Sequence, residues 1–74
     1  MKIFVAKTLI EGRRQSNCAV KLFTDFEECR KYASNQIEVY ADTNGGTVTL
    51  RTDTHYEMYS QDIKVTIRIE EHKV

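Results

Sequence analysis

The sequence contains no proline and no tryptophan, and only three of its 74 residues are glycine. This scarcity excludes linkers and low-complexity segments, which depend on biased compositions of that kind. A chain of this length has room for one hydrophobic core. Its 41% of hydrophobic and 30% of charged residues are typical of a globular rather than a disordered protein. We therefore expect one domain that spans residues 1–74.

Long apolar runs are absent as well. No run approaches the ~18 residues of a membrane-spanning helix, and Lys2 is followed by a mixed segment rather than by the apolar stretch of a signal peptide. We therefore expect a cytoplasmic protein with no membrane partner. In that reducing compartment the two cysteines, Cys18 and Cys29, are expected to be free thiols.

An excess of charge of either sign is also lacking, because 11 basic side chains balance 11 acidic ones. The chain therefore lacks the overall positive field that draws a protein to nucleic acid. The charges are nevertheless unevenly distributed, since residues 24–43 are net acidic and the remainder is net basic.

What the sequence does contain is clear periodicity. Residues 2–10, with apolar side chains on both registers, predict a strand that is central or covered on both faces. Alternation predicts a second strand over 18–23, and the short polar connection between the two predicts a hairpin. The tetrapeptide Thr24-Asp25-Phe26-Glu27 is a capping box that predicts the start of a helix. Apolar residues at helical spacing continue that helix to about Ala41, and Asn44-Gly45-Gly46 predicts its end.

The last third of the chain returns to strand patterns. Residues 47–51 and 63–70 alternate, whereas 55–59 fits either a short strand or a structured loop. The fold class is therefore α+β, in the order β-β-α-β-(β)-β, with one amphipathic helix packed on one face of an antiparallel sheet. The side chains expected in the core are Val5, Val20, Leu22, Phe26, Ala33, Ile37, Val48, Leu50, Val65, Ile67 and Ile69.

Catalytic and metal-binding motifs are missing. Zinc could use four side chains: Cys18, Cys29, His55 and His72. Their separations lack the close pairs of a structural zinc site, and both cysteines lie on apolar registers. No nucleophile elbow, phosphate-binding loop or pair of catalytic carboxylates occurs. We therefore predict that the protein is not an enzyme and has neither a metal nor a cofactor.

The opposite register of the strands gives the outer face of the predicted sheet, which suggests two uses. Apolar residues on the first hairpin would form an exposed patch, typical of a homodimer interface. Those residues are Phe4, Ala6, Ile10 and Phe23. The alternative is binding of single-stranded nucleic acid, with Phe4 or Phe23 stacking on bases. Its phosphate-binding residues would be Lys21, Arg51, Lys64 and Arg68.

Two further groups are candidates for contact with a protein partner. Glu28, Glu38 and Asp42 lie on the polar side of the helix, where an acidic surface fits either plain solvation or a basic partner. The second group, Tyr56, Met58 and Tyr59, fits either the core or a recognition segment, because Tyr and Met are enriched at interfaces.

The run from Leu22 to Ala33, Leu-Phe-Thr-Asp-Phe-Glu-Glu-Cys-Arg-Lys-Tyr-Ala, follows a short hairpin. It resembles a layout of small bacterial and phage proteins, including some small anti-CRISPR proteins, in which a strand ends in Phe-Thr and passes into an acidic helix. The resemblance covers about half of the chain and implies a non-catalytic inhibitor of a host nuclease complex. Our leading hypothesis is therefore a protein-binding module, with nucleic-acid binding as the alternative.

Overall fold

The computed structural model describes all 74 residues and has the predicted α+β architecture, with one helix packed on one face of a five-stranded antiparallel sheet. The elements are β1 (Lys2–Gly12), β2 (Ser16–Phe23), α1 (Phe26–Asn44), β3 (Thr47–Arg51), β4 (His55–Tyr59) and β5 (Ile63–Lys73). The segment 55–59, for which the sequence allowed either a strand or a loop, is therefore a strand.

The strands are arranged in the order β2-β1-β5-β4-β3. The two longest strands pair along their whole length, from Lys2 opposite Lys73 to Gly12 opposite Ile63. That ladder continues to the chain ends, where the amide of Val74 donates to the carbonyl of Met1 at 2.8 Å. The strand that comes last along the chain, β5, therefore joins the β1–β2 hairpin to the β3–β4 hairpin in the middle of the sheet.

The start of the helix differs from the predicted capping box. Asp25, not Thr24, is the N-cap, and its extended backbone (φ −123°, ψ 128°) is not accompanied by a side-chain capping hydrogen bond. Because the cap is shifted by one residue, Glu27 does not reach back to it and instead accepts a hydrogen bond from Arg30 at 2.9 Å. That bond lowers the pKa of the Glu27 carboxyl. The acidic residues of the first turn still complement the helix dipole.

The helix extends to Asn44, beyond the end predicted at about Ala41. Two glycines follow it, and each is required for a different reason. Gly45 adopts the left-handed conformation (φ 62°), and the Gly46 amide donates to the carbonyl of Ala41 at 2.8 Å. This is a Schellman ending. A Cβ atom on Gly46 would lie 2.5 Å from Met58 Cε and 2.7 Å from the Tyr59 carbonyl oxygen, so only glycine lets the chain leave the helix so close to β4.

The core lies between the helix and the central strands. The helix contributes its buried face, Cys29, Ala33, Ile37 and Ala41, as the helical spacing predicts for Cys29, Ala33 and Ile37. The sheet contributes Ala6, Tyr56, Met58, Val65, Ile67 and Ile69. Val65, Ile67 and Ile69 therefore face inward as predicted. The small alanines let the helix approach the sheet closely, and larger side chains of β4 and β5 fill the space between them.

The first hairpin has the register opposite to the predicted one. Phe4, Ala6 and Ile10 of β1 and Phe23 of β2 contact the core on the helix side. The ring of Phe4 packs edge-on against Phe26 at 5.6 Å, and that of Phe23 lies 5.3 Å from Tyr32. Aromatic pairs of this kind favour burial of the phenylalanines over the smaller aliphatics. Val20 and Leu22, which were expected in the core, are exposed instead.

A register shift in β3 is a second difference from the predicted fold. The pairing with β4 moves by one residue between Val48 and Leu50, so that Leu50 lies opposite Glu57 and Arg51 opposite Tyr56. A bulge of this kind reverses the face of every following side chain. Leu50 therefore lies on the side away from the helix, whereas Arg51 turns toward the helix and forms an ion pair with Glu38.

Two substitutions on the helix test this packing. We expect Ile37→Ala to lower the free energy of unfolding by about 2–5 kcal/mol, because it opens a cavity in the centre of the core. The matched change Val39→Ala, two residues further on at an exposed position, should stay within about 0.5 kcal/mol. Urea unfolding followed by circular dichroism measures both, and equal effects would contradict the helix orientation.

Candidate functional site

The helix covers one face of the sheet and leaves the other without any element packed on it. We call this uncovered side the open face. The pairing registers place on it Val5, Lys7, Leu9 and Glu11 of β1, Cys18, Val20 and Leu22 of β2, His55, Glu57 and Tyr59 of β4, and Lys64, Thr66, Arg68 and Glu70 of β5. The open face is the main candidate for a functional surface.

Part of the open face is apolar. Leu9, Val20 and Leu22 expose 41%, 62% and 61% of their surface, and across the β1–β2 pairing they adjoin the exposed Cys18 and also Val5, which is buried as predicted although it lies on this side of the sheet. We call these five residues the apolar stripe. Single exposed aliphatic residues are common, but a contiguous group on two neighbouring strands is typical of a contact surface.

Basic side chains lie beside the apolar stripe. The amine of Lys7 lies 2.8 Å from a carboxylate oxygen of Glu70, and its hydrogen bond is the main cause of the lowered pKa of Glu70. Lys64 lies 3.9 Å from Glu57. Arg68, between Lys7 of β1 and His55 of β4 in the cross-strand register, has no carboxylate within 4.0 Å. Arg68 is therefore the basic group of this face that is free to bind an external acid.

The apolar stripe and the basic side chains meet in a shallow groove of about 560 Å³. Its lining includes Leu9, Cys18 and Val20 on one side and Lys7, Thr66 and Arg68 on the other. The lining also contains Glu11 and Glu57, so the basic character of the groove comes mainly from the unpaired Arg68. An apolar surface beside a free guanidinium can bind an apolar side chain that has an acidic group next to it.

The residues predicted to form a homodimer interface do not form a surface patch. Ala6 is 1% exposed, and Phe4, Ile10 and Phe23 pack against the same core on the helix side. The prediction that these residues form the interface was therefore wrong. Both registers of β1 are apolar, and the register that faces the helix was assigned to the outer face of the sheet. The homodimer itself stays a prediction, and the exposed apolar side chains of the hairpin are Leu9, Val20 and Leu22.

The four basic residues of the nucleic-acid alternative do not share one surface. Lys64 and Arg68 lie on the open face, whereas Lys21 and Arg51 point to the helix side. The Lys21 amine lies 4.7 Å from the centre of the Tyr32 ring, and Arg51 is paired with Glu38. Phe4 and Phe23 are packed against aromatic rings and are not free to stack on bases.

The predicted protein-contact residues are divided in a similar way. Glu28, Glu38 and Asp42 are exposed on the helix, but the pairing of Glu38 with Arg51 means that it is not a free surface charge. Tyr56 and Met58 belong to the core and cannot contact a partner directly. Burial also raises the pKa of the Tyr56 hydroxyl. Tyr59 is exposed on the open face, beside Lys64.

The four possible zinc ligands do not converge. Cys29 lies on the buried face of the helix, between the helix and the sheet. The other three possible ligands lie on the open face of the sheet: Cys18, His55 and His72. No three His, Cys, Asp or Glu side chains are grouped in a way that would hold a metal ion. The sheet also separates the two cysteines, so they are free thiols in different environments.

A comparison with models of protein families, with curated proteins and with solved structures found no match to this chain. The structure contains no helix with both the length and the apolar character needed to span a bilayer. The open face is therefore assigned as the candidate site from its own geometry, without support from a related protein.

The sequence did not predict that Lys7, Leu9, Cys18, Val20 and Leu22 belong to this site. One signal was available, because Lys7 occupies the same register of β1 as Val5 and Leu9. A lysine in the middle of a strand is seldom buried without a partner. It therefore indicates the solvent-facing register even though its neighbours are apolar.

The two thiols provide a test of this arrangement. Burial raises the pKa of the Cys29 thiol, so the reactive thiolate is disfavoured at neutral pH, whereas Cys18 is exposed. With Ellman's reagent at pH 7.5 we expect the native protein to show one accessible thiol, and a second only after unfolding. The variant Cys18→Ser should show none until it is unfolded. Rapid labelling of Cys29 in that variant would contradict the burial of the helix face.

Proposed function

We propose that this protein is a non-catalytic protein-binding module whose contact surface is the open face of its sheet. The observation that supports this proposal is the apolar stripe, in which Val20 and Leu22 remain about 60% exposed beside the groove that contains Arg68. A module that inhibits a larger assembly, as the resemblance implies, is one form of this proposal.

The side chains of the groove indicate which chemical groups the partner would carry. Arg68 supplies a guanidinium with no internal carboxylate, and Lys7 lies next to it on the neighbouring strand. Arginine is enriched at the energetically dominant positions of interfaces, and complementary charge guides association. The partner we propose is therefore a protein segment with apolar side chains that alternate with carboxylates.

The same surface is less suited to nucleic acid. Glu11, Glu57 and Glu70 lie among the basic residues of the open face, and two of these carboxylates pair with Lys64 and Lys7. A phosphate chain needs several unpaired cations in a row, whereas a single carboxylate of a peptide needs only one, and Arg68 is the basic residue of this face without a carboxylate partner. Tyr59 is the exposed aromatic residue of the face and does not form a row with others on which successive bases could stack.

The test uses two synthetic peptides of identical apolar content, one with leucine and glutamate alternating and one with lysine in place of glutamate. One charge-assisted hydrogen bond to Arg68 contributes about 1.5 kcal/mol, so the acidic peptide should bind about tenfold more tightly. In ¹⁵N-labelled protein its addition should shift the amide signals of Leu9, Val20 and Arg68 and leave those of the outer helix face unchanged.

A charge reversal with a matched control completes the experiment. Arg68→Glu should remove the preference for the acidic peptide, whereas Lys31→Glu, an equal change of charge on the exposed side of the helix, should not. Equal binding of both peptides to the wild-type protein would contradict the proposal. Tighter binding of a single-stranded oligonucleotide at ~50 mM salt would favour the nucleic-acid alternative.

A further inference from the structure

The two edges of the sheet differ in how they are protected. The β3 edge has only five residues and contains a bulge, two features that hinder pairing with another strand. The β2 edge has eight residues and pairs with β1 without any register shift. Its one charged side chain, Lys21, extends over the Tyr32 ring on the helix side. The edge at β2 therefore lacks the usual protection against strand addition.

The hairpin determines which backbone groups of β2 are unpaired. The amide of Gly12 donates to the carbonyl of Gln15 at 2.8 Å, so these residues face each other across the hairpin as a hydrogen-bonded pair. In an antiparallel ladder such pairs alternate with pairs that make no hydrogen bonds. The backbone groups that point to the free edge are therefore those of Ser16, Cys18, Val20 and Leu22.

We propose that two copies of this protein associate by antiparallel pairing of their β2 strands, with the two-fold axis at Ala19, to form one sheet continuous through both copies. The proposal extends beyond the proposed function, because the open face stays accessible in such a dimer. In this register Cys18 pairs with the partner's Val20, and Ser16 pairs with the partner's Leu22. All the outward backbone groups of the strand are then used, in about eight hydrogen bonds.

The side chains are compatible with this register. Lys21 lies opposite the partner's Asn17, whereas a shift that centres the axis on Lys21 would place two like charges opposite each other. Ala19 and Asn17 are exposed on the helix side, so nothing covers the strand where the copies meet. On the open face Val20 and Leu22 acquire neighbours from the other copy, which reduces the exposure of the apolar stripe.

A proline substitution separates pairing between copies from the fold of each copy. Because the amide of Val20 points to the free edge, Val20→Pro removes no hydrogen bond to β1, whereas Lys21→Pro does. Light scattering after size exclusion at about 200 μM should give the wild-type protein twice the 8.6 kDa mass of the chain. The Val20→Pro variant should be monomeric with an unchanged far-ultraviolet spectrum. A monomeric wild-type protein, or a folded Val20→Pro variant that stays dimeric, would overturn the proposal.

Disulfide cross-linking tests the register. In Ala19→Cys the two new thiols should lie opposite each other on the two-fold axis, in a pair without hydrogen bonds whose Cα separation of about 4.5 Å suits a disulfide, so mild oxidation should give a covalent dimer. The wild-type protein, Ser16→Cys and the double variant Cys18→Ser/Val20→Cys should stay unlinked. A covalent dimer of the wild-type protein would place the axis at Cys18 instead, and one of the double variant would place it at Val20.

Discussion

The whole structure depends on one constraint, namely that a single helix can cover only one face of a five-stranded sheet. The buried face of α1, with Ala33 and Ile37 at its centre, packs on β4 and β5, which supply Met58, Val65 and Ile67. These side chains lie at the centre of the hydrophobic core, in a chain that is too small for a second core. The remaining face must stay open or be covered by another molecule, and its exposed side chains are therefore functional candidates.

The position of the helix also divides the charged residues between two surfaces. Basic groups that the sequence pattern grouped together, such as Lys21 and Arg68, lie on opposite faces of the sheet. Those on the helix side are held by internal contacts, with Lys21 over Tyr32 and Arg51 paired with Glu38. On the open face Lys7 and Lys64 also have carboxylate partners, whereas Arg68 has none. The presence of an internal partner thus determines whether a charge stabilises the fold or can serve recognition.

The sequence was sufficient for the order of elements apart from β4, and for the buried stripe of the helix. It was also sufficient for the inward face of β5, because Val65, Ile67 and Ile69 alternate with polar residues. It was insufficient for the hairpin, where both registers of β1 are apolar and the choice depends on contacts of Phe4 and Phe23 with aromatic side chains of the helix. The bulge in β3 also has no local signal, so the exchange of Leu50 and Arg51 between faces could not be foreseen. The open-face site was missed for the same reason, since it consists of the register that was assigned to the core.

The central place of β5 has a consequence for how the protein folds. Before β5 is in position, the chain consists of two separate hairpins and a helix with no continuous surface to pack on. The pairing of β5 with β4 is a local hairpin, but the β1–β5 ladder that unites the two halves of the sheet joins residues distant in sequence. A large loop-closure entropy therefore precedes the stabilising contacts of that ladder. Folding should therefore be slow for a protein of this size and cooperative. On the ribosome, the inner edges of β1 and β4 stay unpaired until β5 has emerged from the exit tunnel, and during that interval the nascent chain is most exposed to aggregation.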